Sequence, residues 1–288
     1  MRGSTSTLSV KRPEVHGHRG CRGLRPENTL PAFLHAIVIG VDVLELDVVL
    51  SADGQLVVSH EPWMNSLICL DPQGQHIAPD EELLHNLYQL PYDTIRRYDC
   101  GQLRHPAYPE QQSVPAHKPL LREVVARVDA LSQQLNQGLV RFSIEVKSTP
   151  AGDGIWHPTP EVFVEIVAEQ LQLLGLMFRT TLLSFDKRIL RTARRSLLGL
   201  PLCLLVEDTI PFEQHLSELG FKPAVYGPHH ELVTEALVAQ TRQFGVALVP
   251  WTVNELAHMH RLVQMNVKGL TTDYPDRLLH LLSSADQA

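Results

Sequence analysis

The sequence predicts a (β/α)8 TIM barrel, because short β-rich apolar runs recur along 288 residues, a stretch of helical periodicity follows each, and no glycine-rich dinucleotide fingerprint marks an open sheet. Eight strands are expected in order, at residues 14–18, 43–49, 140–147, 180–185, 201–206, 223–227, 246–251 and 268–272. Helices between them include 29–39, 120–135, 160–174 and 254–264. A chain with 44% hydrophobic residues buries one large core, and barrels commonly use about 250 residues as a single domain. One domain over residues 1–288 is therefore expected.

The first strand ends in His16-Gly17-His18-Arg19-Gly20, with two histidines on one alternation phase and glycines that permit close backbone approach. In the second, Leu44-Glu45-Leu46-Asp47-Val48 puts both carboxylates on one face and the aliphatics on the other. The aliphatic face must pack under the helices, so Glu45 and Asp47 point into the barrel. The turn Ala52-Asp53-Gly54 then returns the chain as a short extra strand, 55–60, that makes a hairpin with the second and ends at Ser59-His60. Residues 61–118 break the βα rhythm: rich in Pro, Tyr, Gln and His, they read as a small insertion over the end of the barrel where His60 lies.

The strand at 140–147 repeats the device of the second. Ile144-Glu145-Val146-Lys147 sends Glu145 and Lys147 inward. A lone inward carboxylate is commonly a barrel-layer residue, but three converging ones are not neutral. At about 5 Å and an effective dielectric near 20, each pair repels by roughly 3 kcal/mol, so three pairs approach the whole net stability of a domain, about 5–15 kcal/mol. A bound cation or raised pKa values must relieve this, and an all-oxygen donor set suits one divalent cation, Mg2+ or Ca2+, better than zinc. His18 and His60 fall at the barrel end where such folds keep their active sites, and two histidines can share acid and base roles near neutral pH. Arg19 and Lys147 add fixed positive charge that suits a phosphate oxygen. Trp251 ends the seventh strand at the same rim and is a candidate pocket wall; Asn28 is either a helix-start residue or part of the site.

A formal net charge of −7 and the lack of a basic stripe exclude a generic nucleic-acid binder. No apolar run reaches a membrane span, and residues 1–14 lack the apolar stretch of a signal peptide, so a cytoplasmic protein is expected as the chain is written; removal of a leader would make it periplasmic or secreted. The four cysteines, Cys21, Cys69, Cys100 and Cys203, are irregularly spaced and are read as buried free thiols, with Cys69 and Cys100 able to pair in an oxidising compartment. His229-His230-Glu231 reads as a helix-start loop, since adjacent strand residues point to opposite faces, and His16 reads as filling of the barrel interior.

Taken together, His18-Arg19-Gly20, Arg25-Pro26-Glu27-Asn28-Thr29, Glu45-Leu46-Asp47-Val48, Asp53-Gly54 and Val57-Val58-Ser59-His60 resemble the glycerophosphodiester phosphodiesterase family in kind and order. Later stretches, Ile144-Glu145-Val146-Lys147, Ser184-Phe185-Asp186, Trp251-Thr252-Val253-Asn254 and Thr272-Asp273-Tyr274-Pro275, extend the likeness to nearly the whole chain. The resemblance implies a divalent metal on Glu45, Asp47 and Glu145, catalysis by His18 and His60, phosphate contact by Arg19 and Lys147, and a small-molecule glycerophosphodiester as substrate. His60 is read as base and His18 as acid, an order the residue types do not fix. Glu61 departs from the Asp that often follows the second histidine in that family. The competing readings are another barrel phosphodiesterase, of the phospholipase D, sphingomyelinase or phosphoinositide type; a glycoside hydrolase, disfavoured by 6% aromatic content and by the Arg and Lys; and a catalytically dead binding barrel. The insertion, with Trp63, Met64, Tyr88, Tyr92 and Tyr98, is expected to contact the alcohol headgroup.

Overall fold

The computed structural model describes residues 12–285, so residues 1–11 of the segment examined for a leader lie outside it. Strand β1 (Glu14–Gly17) leads into α1 (Leu30–Ile39) and β2 (Val43–Leu50), and β3 (Leu56–Val58) turns back on β2. A long excursion follows that holds little regular structure besides the single turn α2 (Tyr92–Ile95). Strand and helix then alternate: α3 (Leu121–Gln134), β4 (Arg141–Val146), α4 (Pro160–Leu173), β5 (Thr180–Ser184), α5 (Lys187–Ser196), β6 (Leu202–Val206), α6 (Phe212–Leu219), β7 (Val225–Pro228), α7 (Glu235–Gln243), β8 (Ala247–Leu248), α8 (Leu256–Gln264), β9 (Gly269–Thr272) and α9 (Pro275–Ala285).

The sheet runs β8-β7-β6-β5-β4-β2-β1-β9, parallel throughout, with β3 antiparallel on β2. Its two ends meet through backbone bonds from Lys268 N to Leu248 O and from Thr271 N to Pro250 O, both 3.0 Å, which bring the sheet round into a nearly closed barrel. The seventh barrel strand is shorter than its sequence suggests. Only Ala247 and Leu248 hold ladder geometry, because Pro250 has no N–H to donate and interrupts the regular pattern.

Alternation sorts the strand residues as two layers require. Leu44, Leu46 and Val48 of β2, Phe142, Ile144 and Val146 of β4, and Leu202, Leu204 and Val206 of β6 all join the core between sheet and helices, with Phe33 and Phe163 from α1 and α4. Helix starts follow local chemistry: the Thr29 hydroxyl accepts from Ala32 N, and Asp186 accepts from Arg188 N to open α5.

The excursion between β3 and α3 has its own core of Val49, Val57, Met64, Ile68, Cys69, Leu87, Tyr92, Ile95, Tyr98, Cys100 and Leu120, among others. This corrects the expectation for Met64, Tyr92 and Tyr98, which are buried there instead of facing a ligand; Tyr88 packs against the main core, and only Trp63 of the five lines the central cavity. Cysteine usage differs as well. Cys21 and Cys203 are free and buried, but Cys69 and Cys100 form a disulfide, because reciprocal backbone bonds between Leu70 and Asp99 (2.6 and 3.2 Å) hold the two cysteine Cα atoms 4.0 Å apart. A bridge across 31 residues contributes roughly 2–4 kcal/mol. The Cys69→Ser, Cys100→Ser double variant, or wild type under reductant, is therefore expected to lose that much stability in denaturant titrations; an unchanged midpoint would show that the bridge constrains nothing.

Candidate active site

Register on the barrel wall creates the site. Asp47 of β2 lies opposite Glu145 of β4, and Glu45 lies one inward position below on β2. One carboxylate oxygen from each lies within 4.8 Å of the others, and all three residues are buried. Burial, reinforced by the charge of Asp47, drives the Glu45 pKa well up. Glu145 is also raised by burial, although Lys147 opposes the change. Asp47 moves the other way: burial works against its charge, but Lys147, His60, Arg19 and the Asn28 amide together hold it low.

The neighbours explain how such a cluster is tolerated. Arg19 N donates to Glu45 Oε2 at 2.8 Å, and Asn28 Nδ2 donates to Asp47 Oδ2 at 2.9 Å. Both residues hold left-handed backbone, φ 49° for Arg19 and 54° for Asn28, a conformation that Asn adopts readily and Arg seldom does. Glycine makes the turn after β1 feasible, since a Cβ on Gly17 would stand 2.1 Å from Gly20 O. Lys147 Nζ donates to Glu145 Oε1 at 2.8 Å and lies 3.7 Å from Asp47 Oδ1. Arg19 pairs with Glu27 at 2.7 Å, while its buried Nε has no hydrogen-bond partner among the described residues.

Each histidine is backed by a carboxylate. His18 Nδ1 donates to Asp273 at 2.6 Å, which turns Nε2 toward Glu45 Oε2, 3.9 Å away. Burial pushes His18 down to about 4 against the opposing pull of Asp273. His60 Nδ1 meets Glu61 Oε1 at 2.7 Å, and its side chain is 32% exposed against 11% for His18, so the two present unequal surfaces to solvent. Asp273 is fixed further by Arg22 Nε (2.9 Å) and Asn254 Nδ2 (2.7 Å). Lys118, where the excursion ends, donates to Ser59 Oγ at 2.8 Å beside His60.

His18, Arg19, Glu45, His60, Glu145, Lys147 and Trp251 line one cavity of about 980 Å³; Asp47 stands behind Arg19 and Lys147, 3.5 and 3.7 Å from their nitrogens, and Asn28 donates to it from behind. Trp251 stands apart from the carboxylates: its ring packs edge-on against Phe185 with centroids 5.4 Å apart, and its Nε1 donates to Gly227 O. His16 faces the lower lumen against Glu14, and His230 opens the short 3-10 turn before α7. Sequence reading passed over Asp273, Arg22, Glu27, Glu61 and Lys118 as site residues. Asp273 and Glu61 stood inside or beside the quoted motifs, whereas nothing local marked Arg22 or Lys118.

Three buried carboxylates close enough to share a hard divalent cation, beside the cationic Arg19 and Lys147, suit the chemistry of a phosphoric diester hydrolase. The chain belongs to the glycerophosphoryl diester phosphodiesterase family, which it matches over residues 18–277. It is 28% identical to the glycerophosphodiester phosphodiesterase of Bacillus subtilis (strain 168), over 93% of this chain and 86% of that one. A Silicibacter pomeroyi DSS-3 protein provisionally assigned to the same activity has a crystal structure that superposes with a TM-score of 0.85 at 30% identity, covering 95% of this chain and 94% of that one. An Oleispira antarctica phosphodiesterase, solved in complex with the product sn-glycerol-3-phosphate, shares the fold with a TM-score of 0.73 at 20% identity, over 96% and 98% of the two chains.

The raised Glu45 and Glu145 carboxyls mean that the cluster opposes folding until charge is added. In excess chelator, Glu45→Gln is expected to raise the melting temperature by about 2–4 °C, equivalent to roughly 1 kcal/mol in a domain of this size. Added Mg2+ or Ca2+ should then stabilise wild type and leave the variant nearly unmoved; the opposite pattern in thermal shift assays would remove the electrostatic reading.

Proposed function

We propose that this protein hydrolyses glycerophosphodiesters to an alcohol and glycerol 3-phosphate, with one divalent cation, Mg2+ or Ca2+, on Glu45, Asp47 and Glu145. The observation that carries the reading is the contact between the two halves of the site: His18 Nε2 lies 3.9 Å from Glu45, a member of the carboxylate cluster. A phosphate held at the carboxylates would thus sit within reach of a histidine. When bound, the cation supplies positive charge against the phosphoryl oxygens as the transition state forms.

The chain's own residues perform the remaining work. Arg19, whose Nε stands 3.5 Å from Asp47 Oδ2 without a hydrogen bond, and Lys147 orient the phosphate and offset its charge. His18 and His60 share the proton transfers: one removes the proton of the glycerol 2-hydroxyl as that oxygen attacks phosphorus, and the other protonates the departing alcohol oxygen. Water then opens the cyclic phosphate with the two roles exchanged, giving glycerol 3-phosphate. Asp273 and Glu61 fix the ring orientation that each transfer needs. No helix among the described residues is long and apolar enough to cross a membrane.

Chelation followed by dialysis is expected to abolish hydrolysis of glycerophosphocholine, with recovery on adding Mg2+ or Ca2+; full turnover in chelator would sink the metal assignment. His18→Ala and His60→Ala should each lower kcat by about 10²–10⁴ with the fold retained, the range for acid and base groups. Asp273→Asn should cost roughly 10–100-fold, the usual effect of losing an orienting carboxylate. Near-normal turnover in any of the three on a substrate with a poor leaving group would refute the corresponding role.

A further inference from the structure

Opposite the catalytic mouth, the turns that lead from helix to strand expose apolar side chains in a row. Between α3 and β4 these are Leu135 and Leu139; between α4 and β5, Leu173 and Phe178; between α5 and β6, Leu198. Strands β4, β5 and β6 are neighbours in the sheet, so the three turns lie side by side. Leu173 and Leu198 are 71% and 80% exposed, and the Phe178 ring stands wholly free. The turns are built, not frayed. Asn136 (φ 52°) and Gly175 (φ 65°) end α3 and α4 in the left-handed conformation, and Gln137 N and Leu176 N reach back to Ser132 O and Leu171 O at 2.9 and 2.8 Å. Leu198 and Phe178 sit at the centres of β-turns closed by Leu200 N on Leu197 O (3.1 Å) and Arg179 N on Leu176 O (3.0 Å). The backbone is thus satisfied locally while the apolar side chains point outward, and a soluble monomer seldom displays such a patch without a partner for it.

The same face opposes in sign the chain as a whole, whose formal net charge is −7. Its carboxylates are engaged: Glu14 by Arg141 at 3.2 Å and by Lys268, Asp42 by Arg12 at 2.9 Å, Asp129 by Arg179 at 2.7 Å, and Glu218, at the end of α6, by Lys187. Arg194 and Arg195 in the last turn of α5, Lys222 before β7 and Arg242 at the end of α7 are exposed and have no carboxylate partner among the described residues. Exposed carboxylates gather instead at the other end, where Glu207 and Asp208 follow β6, Glu231 follows β7 and Glu255 precedes α8. The barrel is therefore polarised along its axis. We propose that the basic and apolar face docks on an anionic lipid surface, with Phe178 and the leucines entering the headgroup boundary and the arginines meeting lipid phosphates. Charge decides among the occupants: a second copy related by a twofold axis brings two patches of like sign together, whereas an anionic leaflet answers both features at once. The lipid is an anchor here and not a substrate. Docked in this way, the cavity mouth points into water, where a deacylated diester is dissolved, so the enzyme is held at the surface with its site open to solution.

The test is co-sedimentation of the full chain, with Mg2+ present, on vesicles of phosphatidylcholine alone and of phosphatidylcholine and phosphatidylglycerol in equal parts. Partition onto the anionic vesicles should exceed that onto the zwitterionic ones by at least about tenfold, as several cations near a charged leaflet require, and should fall at high salt. The double variants Phe178→Ser, Leu198→Ser and Arg194→Glu, Arg195→Glu should each lower it by about tenfold or more. All four positions are exposed and far from the catalytic groups, so both variants should keep the wild-type circular dichroism spectrum and melting temperature; that readout of folding does not depend on the phosphodiesterase reading. Equal partition onto the two kinds of vesicle overturns the inference, as does an anionic preference that both variants preserve. A dimer in sedimentation velocity that Phe178→Ser, Leu198→Ser dissociates, with no vesicle binding, assigns the face to a second copy and overturns it. Retention of duplex DNA without retention on vesicles overturns it in favour of another polyanion.

Discussion

The β2–β4 register is the constraint from which the rest of the site follows. Pairing Asp47 with Glu145, with Glu45 one inward position below, concentrates negative charge on a buried stretch of barrel wall, where water screens it weakly. The surrounding residues answer that charge in turn. A backbone N–H from Arg19 and an amide from Asn28 are brought in through left-handed backbone, and Lys147 spans two of the carboxylates. Strain of this kind persists only where the neighbouring structure over-determines it. Here the barrel strands and the α1 start do so, with Gly17 and Gly20 allowing the turn to close against Glu45 O and Ala32.

The histidines occupy different environments despite a shared device. His18 sits within the strand-end layer, wedged between Asp273 and Glu45, and its partner is anchored by Arg22 and Asn254. His60 lies at the mouth, held by the next residue in the chain and bordered by Lys118. The first is thus positioned by the barrel's closure, because Asp273 follows β9, and the second by the hairpin and the excursion after it. Damage to one region would displace one histidine and leave the other in place.

The barrel was legible because its strands obey a period of two that their inward and outward neighbours enforce. Glu45 and Asp47 between Leu44, Leu46 and Val48 left one orientation open, as did Glu145 beside Ile144 and Val146. The expected strand 246–251 ran straight through Pro250, whose effect on the seventh strand depended on partners far away in sequence. Asp273 was hidden for the same reason: its partner His18 is 255 positions earlier, and only barrel closure joins them. The excursion misled in a different way. Tyr92, Tyr98 and Met64 look like contact residues in a polar segment, but the Leu70–Asp99 pairing and the disulfide beside it gather them into a core that no periodicity announces.

The excursion leaves and returns at nearly one point. Val58 N donates to Pro119 O and Val57 bridges to Leu120, so its two stems are tied across the hairpin. Closure entropy grows only logarithmically with loop length, so this segment can lengthen, shorten or be exchanged between relatives at little thermodynamic consequence to the barrel below. Having its own core and covalent tie, it forms a contiguous unit able to open below the free energy of global unfolding. Amide exchange would then separate into two classes, a slow barrel and a faster canopy. His60, Glu61 and Trp63 stand on the stem and rim of this segment and line the cavity, so the packing of the segment and the shape of the cavity mouth are set together.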